Sequence, residues 1–179
     1  MKIVLLLLTL ALAANCMRVR DCDLNRIPNI FDLDAERLMG IWYPVDMSLH
    51  SRNYDCFKIN FISLGNNTFQ LEMLNQTSND YLTFATNLSN ERKDTFVSSG
   101  DPNALYRFYT IIDTDYDNYM VAIYCVHKPE GDIYYAHILS RTFTLSEDLL
   151  LRLQNSLLRY FNFEFKKINQ GEQCLAHLS

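Results

Sequence analysis

The strongest constraint on the fold is a repeated alternation of residue types through the middle of the chain. Between residues 41 and 139, short stretches rich in β-branched and aromatic residues are broken about every 8–12 residues by turn-forming residues. This pattern predicts eight β-strands, at residues 41–47, 56–64, 68–75, 80–88, 92–98, 105–113, 118–126 and 132–140. Eight consecutive strands joined by short hairpins favour an antiparallel up-and-down barrel at least as much as a sandwich.

The periodicity becomes helical after the last predicted strand. Ser146 is the expected N-cap of one amphipathic helix, and acidic residues follow it in the first turn. The apolar face of this helix would hold Leu149, Leu153 and Leu157, with Leu150 and Leu158 beside them. A last extended segment, residues 161–168, is expected to pair at an edge before Cys174 anchors the tail.

The first residues have the features of a secretory signal peptide. Lys2 precedes a short apolar run, residues 3–14, which is too short for a membrane anchor of about 20 residues. Cleavage after Ala13 or after Cys16 would suit the small residues there, and the second site leaves an even number of cysteines. We therefore expect a signal peptide at residues 1–16 and a single soluble domain at residues 17–179.

Net charge restricts the partners of the secreted protein. The full chain has a formal net charge of −5 and no basic cluster. It is one unit more negative once Lys2 is removed. Nucleic acid and anionic membranes are therefore not expected as partners.

The four cysteines that remain after cleavage predict disulfides and leave no nucleophile. An even number of widely separated cysteines in an oxidising compartment is typical of two long-range disulfides, and no Cys-x-x-Cys or Cys-x-x-His pair indicates a metal site. The sequence also lacks Gly-x-Ser-x-Gly, so no enzymatic activity is expected. Three sequons begin at Asn66, Asn75 and Asn87 and are candidate glycosylation sites.

Alternation within the strands predicts which side chains face the inside of a barrel. An eight-stranded barrel has room inside for packed side chains or for one small ligand. The candidate ligand-binding residues are Phe57, Ile59, Phe61, Phe69, Leu71, Met73, Tyr109, Ile111, Met120, Ala122, Tyr124, Tyr135, His137 and Leu139. Polar-tipped aromatic residues beside aliphatic ones suit an elongated or planar ligand with one or two hydrogen-bonding groups. The alternative is that these side chains simply form a packed core.

Three motifs resemble the lipocalin family. They are residues 31–43, which include Gly40-Ile41-Trp42, residues 113–119, and residues 139–141. Their order, their separation and the helix after the barrel extend the resemblance over nearly the whole chain. Within the family, the sequence is most similar to the group of apolipoprotein D, insect bilin-binding protein and retinol-binding protein.

The resemblance implies structural roles for several residues. It implies the disulfides Cys22–Cys125 and Cys56–Cys174. Trp42 would plug the narrow end of the barrel with Arg141 stacked over its indole, and Gly40 would leave room beside this pair. Thr114, Asp115 and Tyr116 would form a hairpin turn with Asx-type capping, since the spacing is not that of a calcium loop.

The resemblance also implies a secreted carrier of a small hydrophobic ligand, without a required cofactor. The expected ligands are a retinoid, a sterol, a fatty acid or a bilin, and likeness to apolipoprotein D adds lipid transport and protection from oxidative stress. Three alternatives remain. A lipocalin could act by contacting a receptor or another copy of itself, for example around Leu49 and Tyr54. It could instead bind haem at His137, or it could scavenge amines. The last needs inward carboxylates, whereas Glu72 and Asp94 are predicted to face outward.

Overall fold

The described residues fold into nine β-strands and one α-helix around a closed barrel. A computed structural model describes residues 22–48, 55–76, 81–98, 108–126, 131–171 and 174. The strands are β1 (Gly40–Ser48), β2 (Phe57–Gly65), β3 (Thr68–Asn75), β4 (Tyr81–Leu88), β5 (Thr95–Ser98), β6 (Phe108–Thr114), β7 (Tyr119–Val126), β8 (Ile133–Ser140) and β9 (Phe165–Lys167), and the helix is α1 (Glu147–Leu157). Short 3₁₀ helices at Leu24–Arg26 and Ala35–Leu38 precede the barrel.

Antiparallel pairing of consecutive strands builds the barrel, and β1 closes it. Strands β2 to β8 pair in chain order, while β1 pairs with both β2 and β8. A β-bulge between Pro44 and Asp46 lets β1 bend from one neighbour to the other. The predicted eight-stranded up-and-down barrel is therefore confirmed, and the predicted final extended segment contributes β9, which pairs with β1.

The helix packs on the outside of the barrel. Leu153 and Leu157 are buried against the outer face of the sheet, in a cluster with Val121 and Ile138. This cluster is separate from the one inside the barrel. Among the described helices, none is long and apolar enough to cross a membrane.

The start of the helix agrees with the prediction and its end differs. Ser146 is the N-cap of α1 and has an extended conformation, although its side chain makes no capping hydrogen bond. Leu158 follows the last helical residue and is 44% exposed, because the chain turns there and carries it away from the barrel.

Two disulfides connect the terminal segments to the barrel. Cys22 is bonded to Cys125 in β7, and Cys56 at the start of β2 is bonded to Cys174. This is the pairing that the resemblance implies. The two terminal segments are thus held against the barrel covalently.

Strand β5 begins three residues later than predicted. Residues 92–94 form a turn in which Thr95 N–H donates to the carbonyl oxygen of Arg92, and the pairing of β5 with β6 begins at Thr95. Strand β6 begins at Phe108, and the predicted positions 105–107 lie outside the described residues. The expected signal peptide, Leu49 and Tyr54 also lie outside them.

Candidate functional site

Trp42 and Arg141 lie at one end of the barrel and close it. The guanidinium carbon of Arg141 is 3.7 Å from the centre of the Trp42 ring, and Trp42 is fully buried. Arg141 donates hydrogen bonds to the carbonyl oxygens of Arg37, Ile41 and Tyr116, and Trp42 Nε1 donates to that of Leu38. A stacked cation and three carbonyl acceptors fix the arginine over the indole, so this end is sealed.

Gly40 lies beside the stacked pair of Trp42 and Arg141, which we call the plug. A side chain at this position would meet the plug. The φ of Gly40 is +94°, which favours glycine, and a Cβ there would lie 3.4 Å from Nη1 of Arg141. Glycine at this position therefore allows both the backbone conformation and the close approach of the guanidinium.

The turn between β6 and β7 lies at the same closed end. Asp115 Oδ1 accepts hydrogen bonds from the backbone N–H groups of Asn118 and Tyr119, which is the expected Asx-type capping. Thr114 donates its hydroxyl to the carbonyl oxygen of Tyr119. Tyr116 adopts a φ of +68° and lies under the guanidinium of Arg37, whose carbon is 4.1 Å from the ring centre. These residues therefore order the turn around the plug.

The structure places all fourteen candidate ligand-binding residues on the inward face of the barrel. Thirteen belong to one buried cluster, which is Phe57, Ile59, Phe61, Phe69, Leu71, Met73, Tyr109, Ile111, Met120, Ala122, Tyr124, Tyr135 and Leu139. The fourteenth, His137, lies on the same face because it pairs with Ala122 across the ladder. The interior is thus built from alternate residues of the paired strands.

The same cluster contains residues that the sequence pattern did not single out. Met47 of β1 and Phe96 of β5 are fully buried within it, and Phe84 of β4 packs against it. Phe96 contacts the rings of Phe61 and Phe69 edge to face, at 5.9 and 5.2 Å between ring centres. The half of the interior next to the plug is therefore filled by side chains.

Exposure of the lining residues rises toward the opposite end of the barrel, which we call the mouth. Ile111 and Met120, near the plug, have no accessible surface, whereas Phe57, Met73 and Tyr135 retain 6–9%. The mouth is the end at which β1, β3, β5 and β7 finish. A ligand that enters the barrel would therefore meet the lining from this end.

Aromatic rings form one wall of the half nearer the mouth. Tyr109, Tyr124 and Tyr135 lie on neighbouring strands with nearly parallel rings, at 6.0 and 5.1 Å between successive ring centres. His137 lies 4.4 Å from Tyr124 on the side toward the plug. Such a wall offers flat apolar faces with hydroxyl groups at their edges.

His137 is the titratable group deepest in this lining. Desolvation by burial lowers the pKa of His137 from 6.5 to about 3, so the imidazole is neutral at physiological pH. Its Nδ1 lies 3.5 Å from the hydroxyl of Tyr109. These two groups form an uncharged pair that can both donate and accept hydrogen bonds.

The inward face carries no charge in the part of the chain that the structure describes. Inward and outward positions alternate along the paired strands, and the inward positions hold only apolar, aromatic, amide, hydroxyl and imidazole side chains. Glu72 faces outward, where it accepts hydrogen bonds from Asn60, Gln70 and Tyr81. Asp94 forms an ion pair with Arg92. Neither carboxylate is placed to bind an amine inside the barrel.

The candidate glycosylation sites differ in position. Asn66 is exposed in the β2–β3 hairpin and Asn87 is exposed on β4, and both lie near the plug end. Asn75 pairs with Phe57 and is on the inward side of β3 at the mouth. A glycan at either of the first two positions would leave the mouth open.

One group of metal-binding residue types exists in the described part of the chain. The sulfurs of Cys22 and Cys125 lie close to the carboxylate of Asp132. Both sulfurs are joined in a disulfide, and a carboxylate oxygen of Asp132 accepts a hydrogen bond from the backbone N–H of Cys22. The arrangement therefore holds the N-terminal segment in place and lacks the thiolates that a metal would need.

Comparison with solved structures identifies the fold. The siderocalin Ex-FABP, which functions through dual ligand specificities, superposes with a TM-score of 0.62 at 14% sequence identity, over 75% of this chain and 95% of that one. Lobster apocrustacyanin A1 gives a TM-score of 0.59 at 14% identity, over 86% of this chain and 95% of that one. Both are lipocalins, and the closed barrel with one outer helix is the lipocalin fold. No family model matches the sequence, and no curated protein matches it.

Proposed function

We propose that the protein is a secreted carrier that binds one small hydrophobic molecule inside its barrel. The observation that carries this proposal is the uncharged aromatic and aliphatic lining, which is sealed at one end and retains accessible surface toward the other. Apolar walls with a few convergent polar groups are typical of small-molecule sites. The lining residues named above are proposed to contact the ligand.

Secretion is supported by the sequence and by the cysteines. Residues 1–16 have the basic start, apolar run and small residues of a signal peptide. The two disulfides are of the kind that persists in an oxidising compartment. The three sequons are proposed as acceptors of N-linked glycans in the secretory pathway.

We propose further that the carrier is of the apolipoprotein D type. The three sequence motifs support this, and so does the disulfide pairing, which is the one that the resemblance implies. The expected ligands are a retinoid, a sterol, a fatty acid or a bilin, and the expected roles are lipid transport and protection from oxidative stress. No catalytic step is proposed, because the described cysteines are all in disulfides and carriage needs no reaction.

Native mass spectrometry of protein secreted from eukaryotic cells would test carriage. The protein is mixed separately with retinol, biliverdin, haem, a sterol and arachidonic acid, and then desalted. We expect a one-to-one adduct with at least one of them, weakened in Tyr135→Leu and His137→Leu. The matched control is Tyr160→Leu, which removes an exposed aromatic ring outside the barrel.

The outcomes separate carriage from other modes of action. An adduct that survives in the control and is lost in the two lining variants supports a ligand inside the barrel. A folded, fully disulfide-bonded protein that gives no adduct with any compound would contradict carriage. That result would favour action through contacts with a protein partner.

A further inference from the structure

The Tyr109 hydroxyl and the His137 imidazole lie at mid-depth in the barrel, and we call them the polar pair. In the ladder, His137 faces Met47 on one side and Ala122 on the other. Tyr135 is one inward position nearer the mouth than His137, and Leu139 is one inward position nearer the plug. A ligand that fills the half nearer the mouth would therefore place its leading end at the polar pair.

The polar pair is surrounded by uncharged side chains. The rings of Tyr109 and Tyr124 contact His137, with 6.0 and 4.4 Å between ring centres. Ala122 and Met47 provide the apolar surface beside it. No lysine or arginine lies on the inward face of the described strands, so a buried anion would find no cation there.

The free-energy cost of burying the leading end of the ligand therefore depends on the chemistry of that end. Burying a hydroxyl or carbonyl group is tolerable where a hydrogen bond replaces the one lost to water, and the polar pair offers donors and acceptors for this purpose. Burying a carboxylate without a cation is far more costly, since two neutral partners do not offset its lost hydration. The interior should therefore discriminate between these two kinds of ligand end.

We infer that the ligand enters the barrel with an uncharged, oxygen-bearing end, which hydrogen-bonds to Tyr109 and His137, while any charged group stays at the mouth. The chemical class is a lipid with a hydroxyl or carbonyl oxygen at the end opposite its headgroup, or a neutral alcohol or ketone. This inference rests on the proposed carriage and specifies its ligand.

Three fatty acids that differ only at the far end of the chain test this inference. They are hexadecanoic acid, its ω-hydroxy derivative and the corresponding α,ω-dicarboxylic acid, each titrated at neutral pH by calorimetry. We expect the ω-hydroxy acid to bind about three- to tenfold more tightly than the parent acid, the value of one net hydrogen bond. We expect the dicarboxylic acid, which has a charge at both ends, to bind at least about a hundredfold more weakly than the parent acid.

The double variant Tyr109→Phe/His137→Leu assigns this preference to the polar pair. It should bind the ω-hydroxy acid and the parent acid with similar affinity, so the preference is lost whatever the affinity of the variant for the parent acid is. Tyr160→Phe makes the same change as Tyr109→Phe at an exposed position and should keep the preference. If the double variant does not fold, Tyr109→Phe alone keeps the ring and should reduce the preference.

Two results would overturn the inference while leaving carriage intact. One is a dicarboxylic acid that binds as tightly as the parent acid. The other is a preference for the ω-hydroxy acid that persists in the folded double variant. If none of the three acids binds and the ligand panel above also gives no adduct, the carriage proposal fails and this inference fails with it.

Discussion

Arg92 and Asp94 form a 2.8 Å ion pair that is almost entirely withdrawn from solvent. Arg92 also donates hydrogen bonds to the carbonyl oxygens of Leu24, Ile27 and Pro28, so the pair fastens the N-terminal segment beside the start of β5. The guanidinium is thus surrounded by acceptors that come from two distant parts of the chain.

Removing the carboxylate should be strongly destabilising. We expect Asp94→Ala to lower the free energy of unfolding by about 3–5 kcal/mol, because it leaves the buried guanidinium without its counter-ion. The matched control is Asp117→Ala, since the Arg37–Asp117 pair at 3.5 Å is largely exposed. That change should cost at most about 1 kcal/mol. Similar losses in urea denaturation of the two variants would contradict the prediction.

Arg141 should stabilise the closed end without affecting binding. Arg141→Ala removes the contact with the Trp42 ring and three hydrogen bonds to carbonyl oxygens. We expect a loss of about 2 kcal/mol or more. Trp42 is the single tryptophan of the chain, so its fluorescence follows unfolding of this region directly. A large loss of ligand affinity in the folded variant would show that the plug end contributes to the site.

Asp46 should make the protein gain stability relative to its amide variant as the pH falls into the mildly acidic range. This residue lies on the outer side of β1, where Gln154 donates a hydrogen bond to its carboxylate. Desolvation by burial raises the pKa of Asp46 above its ordinary value of 3.8, although hydrogen bonds from Gln154 and from the backbone of Met47 oppose this. The folded protein therefore binds a proton at a higher pH than the unfolded chain does.

The sign of the effect follows from that difference. As the pH falls from neutral through the raised pKa toward about 4, Asp46 contributes increasing stability, and Asp46→Asn lacks this contribution. We expect the free energy of unfolding of the wild type, minus that of the variant, to increase over this range. Denaturation at several pH values measures it, and a difference that decreases would contradict the prediction.

Glycans near the plug should not affect ligand binding. Asn66 and Asn87 are exposed at the end opposite the mouth, so we expect peptide mapping to find glycans there. The double variant Asn66→Gln/Asn87→Gln should lose the corresponding mass and keep the ligand affinity of the wild type. A clear change in affinity would contradict this prediction, because it would show that glycans at the plug end affect ligand binding.

The lining could be predicted because antiparallel pairing preserves alternation from strand to strand. Ile59 pairs with Met73 and Phe61 with Leu71, so each correctly predicted strand supports the parity of its neighbour. The alternation of apolar and polar residues within each strand therefore shows which side chains face inward. The fold and most of the inward face could therefore be predicted before the structure was known.

Residues at irregular points of the barrel could not be predicted in this way. Counting alternate positions from Trp42 puts Met47 outside, but the bulge between Pro44 and Asp46 shifts the parity and turns Met47 inward. Phe96 belongs to a strand of four residues, which is too short to show alternation. The anchoring role of Arg92 depends on carbonyl groups 64 to 68 positions away, which no local pattern reveals.

The two disulfides determine how the protein would respond to mechanical force applied at its ends. Tension entering at Cys22 and leaving at Cys174 has its shortest covalent route along the backbone from Cys22 to Cys56 and then across the second disulfide. Residues 56–125 and 125–174 connect the same two disulfides in parallel, so the shortest segment, which contains β1, limits the extension of all three. The extension is then limited to roughly a hundred ångströms, at about 3.3–3.6 Å per residue. Because the three segments share the load, stretching cannot separate the two disulfides beyond this distance, and the two longer segments could never be drawn out fully.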